Sequence, residues 1–295
     1  MNVKEKLDSV GHGFCPQKWR WLALYLHSGH KHSCHHPPPM HIALDEISKD
    51  PAALHNTSHE KQQRKLMLEG GRPDECSYCW SIEDINKVSD RFMKNAVGPN
   101  DLFDLDEEIE ILRNTPWGEN VNPYNMEVSF SNACNFKCGY CCPSFSSLWE
   151  DEIKQHGNYD IQYNQYGIES KIYSEKEYNP YVEAFWKWWP ELYRDLHTFR
   201  ITGGEPLLAK DTWKVLDYIL EQENPNTELK LAINSNLGVP TSLVEKLIEK
   251  IKRIEDEGRV KEIVIFTSVD TWGKQAEYIR TGLEFNKFWD HVNMI

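Results

Sequence analysis

The chain has 295 residues, of which 40% are hydrophobic and 27% charged, with a net charge of −13. That size allows two domains, or one barrel with an appendage, and the acidity argues against a nucleic-acid binder, which would carry a basic face. No apolar run approaches the roughly 18 residues of a membrane span, and the opening MNVKEKLDSVGHG lacks the apolar stretch of a secretory signal, so a cytoplasmic protein without a membrane partner is expected.

Residues 1–95 are rich in His, Cys and Pro and show little sustained periodicity. A helix is predicted from Ser58 to the stop at Gly70-Gly71, and another from Ser81, whose spacing to Asp84 resembles a capping box. This composition fits a small irregular domain held by metal better than one built on a large apolar core. Residues 96–122 read as an acidic connector: Gly98-Pro99-Asn100 is a turn, and 101–110 carries six acids in ten residues, read as a solvated helix face.

From residue 123 the pattern changes to strands alternating with helices. Strands are predicted at 126–130, 198–202, 229–234 and 262–269. Trp213, Leu216, Ile219 and Leu220 lie at helical spacing behind an Asp211 cap, and Leu243, Leu247 and Ile251 behind a Ser242–Glu245 capping box. The aromatic stretch 181–193 reads as a helix packed on the sheet, kinked or restarted at Pro190. Alternation of this kind implies an α/β fold with parallel strands and right-handed crossovers, whose working residues sit in loops at the strands' C-terminal ends.

Eight cysteines fall into two groups: Cys15, Cys34, Cys76 and Cys79, then Cys134, Cys138, Cys141 and Cys142. In a reducing compartment such clusters point to metal or catalysis. The C-x3-C-x2-C loop at Cys134, Cys138 and Cys141 follows the first predicted strand. Its three thiolates can hold three irons of a cubane cluster and leave the fourth open. Zinc, with Cys142 as fourth ligand, is the alternative, an awkward one because adjacent cysteines seldom turn both sulfurs onto one tetrahedral ion. After the second strand comes Gly203-Gly204-Glu205-Pro206. There the glycines allow close approach to the backbone, Glu205 can accept from an ammonium group, and Pro206 stiffens the turn.

Together these loops resemble the radical S-adenosylmethionine (SAM) superfamily, through Cys134, Cys138, Tyr140 and Cys141 and through the GGEP turn at 203–206. The resemblance implies a [4Fe-4S] cluster with SAM on its open iron, the backbone at Tyr140 along the adenine, and Gly203, Gly204, Glu205 and Pro206 at the methionine amino group. It also implies Asn236, beside Ser235, at a Thr-Asn-Gly-like position, Ser268 and Asp270 as ribose contacts, and Arg280 at the SAM carboxylate. Reductive cleavage to a 5′-deoxyadenosyl radical, fed by a flavodoxin- or ferredoxin-like donor, would follow. Cys15, Cys34, Cys76 and Cys79 resemble the auxiliary iron–sulfur domains called SPASM and twitch, with zinc as the alternative, although such domains usually follow the barrel. His35 and His36 flank Cys34 and could donate to a cluster sulfur, but the six histidines between His27 and His41 read mainly as solvated loop residues. A peptide or protein side chain is the expected substrate, a nucleotide or other small molecule the first alternative, and a non-catalytic zinc-binding interaction module the alternative of another class. The family's partial barrel has six strands and four are found here, so a truncated chain is expected. The domains are thus 1–95 auxiliary, 96–122 connector and 123–295 partial barrel.

Overall fold

The computed structural model describes residues 2–98, 103–157, 159 and 171–295. The predicted turn at 98–100 and the first residues of the acidic run lie partly outside them. Two compact units are distinguished. One comprises Met1–Leu24, Gly29–Met126 and Glu183–Thr198; the other comprises Tyr25–Ser28, Glu127–Val182 and Phe199–Ile295.

In the first unit, β1 (Trp21–Tyr25), β2 (His30–His32) and β3 (Met40–His41) lie in the order β3-β2-β1. β2 and β3 pair antiparallel, His30 opposite His41. Composition concealed both these strands and an apolar core: Leu7, Phe14, Trp19, Met67, Trp80, Phe92, Leu105, Ile109 and Leu112 are buried together, with Cys79 among them. The predicted helix is present at Ser58–Leu68, capped by Thr57. The helix placed at Ser81 instead runs Ser77–Asp84, so Ser81 lies inside it and caps nothing. In the acidic run, a helix at Leu105–Asn114 starts on Asp104, which accepts from the amides of Asp106 and Glu107. Leu105, Ile109 and Leu112 face the core, while Glu108 is buried against the Arg20 guanidinium at 2.6 Å. The histidines are not all solvated, since His27 and His32 are buried.

The second unit carries the parallel strands. β4 (Asn125–Ser129) and β6 (Thr198–Thr202) begin at its boundary, and β7 (Lys230–Ser235) and β8 (Glu262–Thr267) follow, in the order β4-β6-β7-β8. β7 and β8 are parallel, with Lys230 opposite Glu262 and Asn234 opposite Phe266. A small antiparallel pair, β5 (Lys137–Cys138) with β9 (Arg280–Thr281), stands apart from this sheet. On β6 and β7 successive side chains face opposite sides: Phe199, Ile201, Leu231 and Ile233 are buried. The helices Lys210–Glu221 and Thr241–Asp256 bury Trp213, Val215, Leu216, Ile219 and Leu220, and Val244, Leu247 and Ile254. Neither helix has the predicted cap. Their first turns start at Ala209 and Pro240 without side-chain bonds, so Asp211, Ser242 and Glu245 are helical residues. Helix Pro180–Asp195 continues through Pro190. Among the described residues no helix is long and apolar enough to cross a membrane.

The ends of β6 and β7 are tied by one carboxylate. Glu205 is buried; its Oε1 accepts from Ser235 Oγ at 2.8 Å and the Leu207 amide at 3.0 Å, and its Oε2 accepts from the Asn236 amide at 2.6 Å. Burial outweighs these bonds and raises its pKa from 4.5 to about 7. Between those values the folded chain holds a proton that the unfolded chain has released, so this group makes stability fall as pH rises across that window. Glu205→Ala strands three donors and is expected to cost on the order of 1–3 kcal/mol per donor left buried and unpaired. Urea denaturation should show that loss, and the variant's stability should be flatter between about pH 5 and pH 7 than that of the unaltered chain. Equal stability of the two proteins would refute the tie.

Candidate functional site

All of the site's elements belong to the second unit. Cys134, Cys138 and Cys141 line one cavity of about 220 Å³ together with Tyr140, Gly203, Gly204, Asn236, Ser268 and Arg280. The cysteine loop leaves β4, turns where the Cys141 amide donates to the Cys138 carbonyl at 3.0 Å, and is held further by its neighbours. Ser147 Oγ accepts from the Cys134 amide at 3.1 Å, Ser146 Oγ donates to the Phe136 carbonyl at 2.7 Å, and Trp149 Nε1 donates to the Cys138 carbonyl at 2.9 Å. Beneath it the Phe136 ring is buried with Leu237, Leu283, Phe285 and Phe288.

The glycine turn serves the loop before any ligand. The Gly204 amide donates to Ser131 O at 3.1 Å and the Glu205 amide to Ala133 O at 2.7 Å. A Cβ at Gly204 would stand 2.4 Å from Ala133 O, and Gly203 adopts φ +122°, a region that favours glycine. At Gly238 an added Cβ would strike the Phe136 ring at 2.1 Å.

The structure brings most of the expected residues together and separates others. Glu205 and Pro206 stand behind the lining, with the Glu205 carboxylate committed to Ser235, Asn236 and Leu207. Asp270 lies beside the lining rather than in it, accepting from Arg280 Nε at 2.6 Å and from the Tyr140 hydroxyl at 3.0 Å. Cys142 does not line the cavity. Thr202, Asn234, Phe145 and Phe136 do line it and were not singled out from the sequence. Thr202 and Asn234 sit on β6 and β7 just before their loops, a position that strand alternation marks once the register is known. Asn234 Oδ1 is buried without a hydrogen-bond donor among the described residues.

The donor set suits a cluster with one open corner. Three thiols border the cavity, and N–H groups are directed at two of them: the Phe136 amide at 3.5 Å and Asn236 Nδ2 at 3.9 Å on Cys134, and Arg280 Nη1 at 3.9 Å on Cys138. Burial pushes the Cys134 and Cys141 thiols up to about 11, so binding a metal there must release protons. Among the described residues no group of three or more His, Cys, Asp or Glu side chains is arranged to hold a single ion, which would draw its ligands to about 2.0–2.3 Å.

Within the first unit, Cys15, Cys34, Cys76 and Cys79 line a second cavity, of about 30 Å³, with Lys18, His36, Asp90, Arg91 and Lys94. Lys94 Nζ lies 3.9 Å from Cys34 Sγ and Asn95 Nδ2 lies 3.5 Å from Cys15 Sγ. His36 bonds Asp90 at 2.7 Å and stacks on Tyr78, while His35 packs against Trp21. Lys94 and Asn95 are thus side chains directed at these sulfurs. Burial raises the Cys15 thiol to about 11 and Cys76 to about 12. Lys18 is buried beside this cavity, 3.6 Å from Glu60 and paired with Glu75.

Comparison with curated proteins and with solved structures gave no match. The family model for the radical SAM superfamily matches residues 128–290, more than half of the chain and all of the cysteine–glycine site just described. The chain belongs to the radical SAM superfamily.

Proposed function

We propose that this protein uses SAM-derived radical chemistry to modify a peptide or protein side chain, with Cys134, Cys138 and Cys141 holding the working cluster. The observation that carries the reading is the single cavity bordered by the three thiols, the Gly203-Gly204 turn, Ser268 and Arg280. Cys134, Cys138 and Cys141 would hold a [4Fe-4S] cluster, which with SAM bound beside it would supply one-electron cleavage of the sulfonium bond and hydrogen-atom abstraction from substrate. The chain's own residues position and enclose. Tyr140 and Ser268 line the cavity and would border the cofactor, Asn236 and the Phe136 amide direct N–H groups at Cys134, and Phe136 and Phe145 give the cavity an apolar lining. Asn234 offers a buried acceptor to an N–H or O–H of whatever fills the space.

In the same reading, residues 1–95 form an auxiliary iron–sulfur domain of the SPASM or twitch kind, 96–122 a connector whose helix packs into the same apolar core, and 123–295 the partial barrel. Support comes from the convergence of Cys15, Cys34, Cys76 and Cys79 on one cavity whose wall also carries Lys18, Arg91 and Lys94. Four thiolates bring several negative charges into a buried site, and cations beside them offset that charge. A flavodoxin- or ferredoxin-like protein would deliver the electron, and the cytoplasm is the compartment that suits free thiols.

Two experiments test these assignments. With dithionite and SAM under anaerobic conditions the protein should form 5′-deoxyadenosine; Cys138→Ala should abolish it and Cys142→Ala should retain it. Unchanged product from Cys138→Ala would overturn the reading of the triad. Separately, the double variant Cys76→Ala/Cys79→Ala should bind about half the iron of the unaltered protein while still cleaving SAM. Stoichiometric zinc in the unaltered protein, lost in the double variant without loss of iron, would assign the first cavity to zinc instead.

A further inference from the structure

We infer that Arg280 is a positioning residue that sets the reduction potential of the cluster held by Cys138, in addition to any contact it makes with SAM. The inference rests on reading Cys138 as a cluster ligand. Arg280 opens β9 directly opposite Cys138 in the antiparallel pair with β5, and the pairing is extended by the Gly139 amide, which donates to Ile279 O at 2.9 Å. Its side chain is buried, at 8% exposure, and its orientation is fixed on three sides. Nε donates to Asp270 Oδ2 at 2.6 Å, the guanidinium lies 5.4 Å from the Tyr140 ring centroid, and Nη1 points at Cys138 Sγ from 3.9 Å. Tyr140 donates its hydroxyl to the same Asp270 oxygen at 3.0 Å, closing a ring of contacts around one cysteine.

This arrangement treats Cys138 differently from its two companions. Cys134 receives neutral amide N–H groups, whereas Cys138 faces a full positive charge. When an external one-electron reductant reduces the cluster, one electron enters, no bond is made or broken, and the cluster's charge falls by one. A fixed cation beside a cluster sulfur stabilises that more negative state and raises the potential; a fixed anion does the reverse. Arg280 and Asp270 therefore act in opposite directions on the same sulfur. The guanidinium is directed at that sulfur from 3.9 Å.

The test is an anaerobic redox titration, followed by electron paramagnetic resonance without SAM, on reconstituted full-length protein with iron quantified in each sample. The signal scored is the one that Cys138→Ala lacks. At the midpoint of the unaltered protein, R280Q should show about a tenfold smaller ratio of reduced to oxidised cluster, equivalent to about 59 mV for one electron. R280K, which retains the charge, should lie between R280Q and the unaltered protein, and D270N should move the ratio upward. Superimposable curves for R280Q and the unaltered protein at equal iron content would overturn the inference, as would R280Q and D270N shifting in the same direction, which marks simple loosening of the loop. Should R280Q fail to hold iron, D270N decides: a higher ratio supports the inference and an unchanged or lower one overturns it. If the unaltered protein lacks the Cys138-dependent signal, the ligand assignment itself fails, an outcome distinct from a shared curve.

Discussion

The site depends on backbone meeting backbone. The loop that leaves β4 presses its carbonyls onto the amides of Gly204 and Glu205 at the exit of β6, and no side chain at position 204 could fit between them. Those two hydrogen bonds join the exit loops of neighbouring strands, and the placement of three thiols around one cavity follows from that junction. A parallel sheet supplies such junctions because every strand ends on the same side. The further contacts, Ser146 and Ser147 on one flank and β9 on the other, refine a position already fixed by the glycine turn.

Charge is handled differently in the two cysteine groups. Around the central triad Arg280 is balanced by Asp270, and amide groups contact Cys134. The first cavity is bordered by Lys18, Arg91 and Lys94, all of which also hold acids: Lys18 pairs with Glu75 and Glu60, Arg91 with Asp8 and Glu83 at 2.8 Å, and Lys94 with Asp90 at 3.6 Å. These pairs keep the cations in place next to buried sulfur, which is where a fixed charge has the largest effect.

The four parallel strands were legible because each is a short β-rich run ending in a conspicuous loop, and each is found within a residue or two of the expected bounds. Helix starts were read less well. Asp211, Ser242 and Ser81 have the chemistry of caps, yet Ala209, Pro240 and Cys76 occupy those positions without side-chain bonds, because packing against the sheet or core outweighs a cap's contribution of about 1 kcal/mol. The strands at Trp21–Tyr25, His30–His32 and Met40–His41 went unseen, since a fully apolar five-residue run and segments of two or three residues carry no period. Thr202 and Asn234 were missed for a related reason: which strand residues face the cavity is fixed by register, and register comes from pairing across the sheet. Glu205 was read as a ligand's partner, whereas its oxygens are already engaged by Ser235, Asn236 and Leu207. A motif shows that two loops cooperate; it does not show which of its atoms face outward.

That engagement of Glu205 has a consequence for affinity. A carboxylate that clamps two strand tips holds the cavity wall in one shape whether or not anything is bound. An incoming molecule then meets a surface already organised to receive it. Little conformational entropy remains to be lost on association, and a larger share of each contact formed is retained as binding free energy.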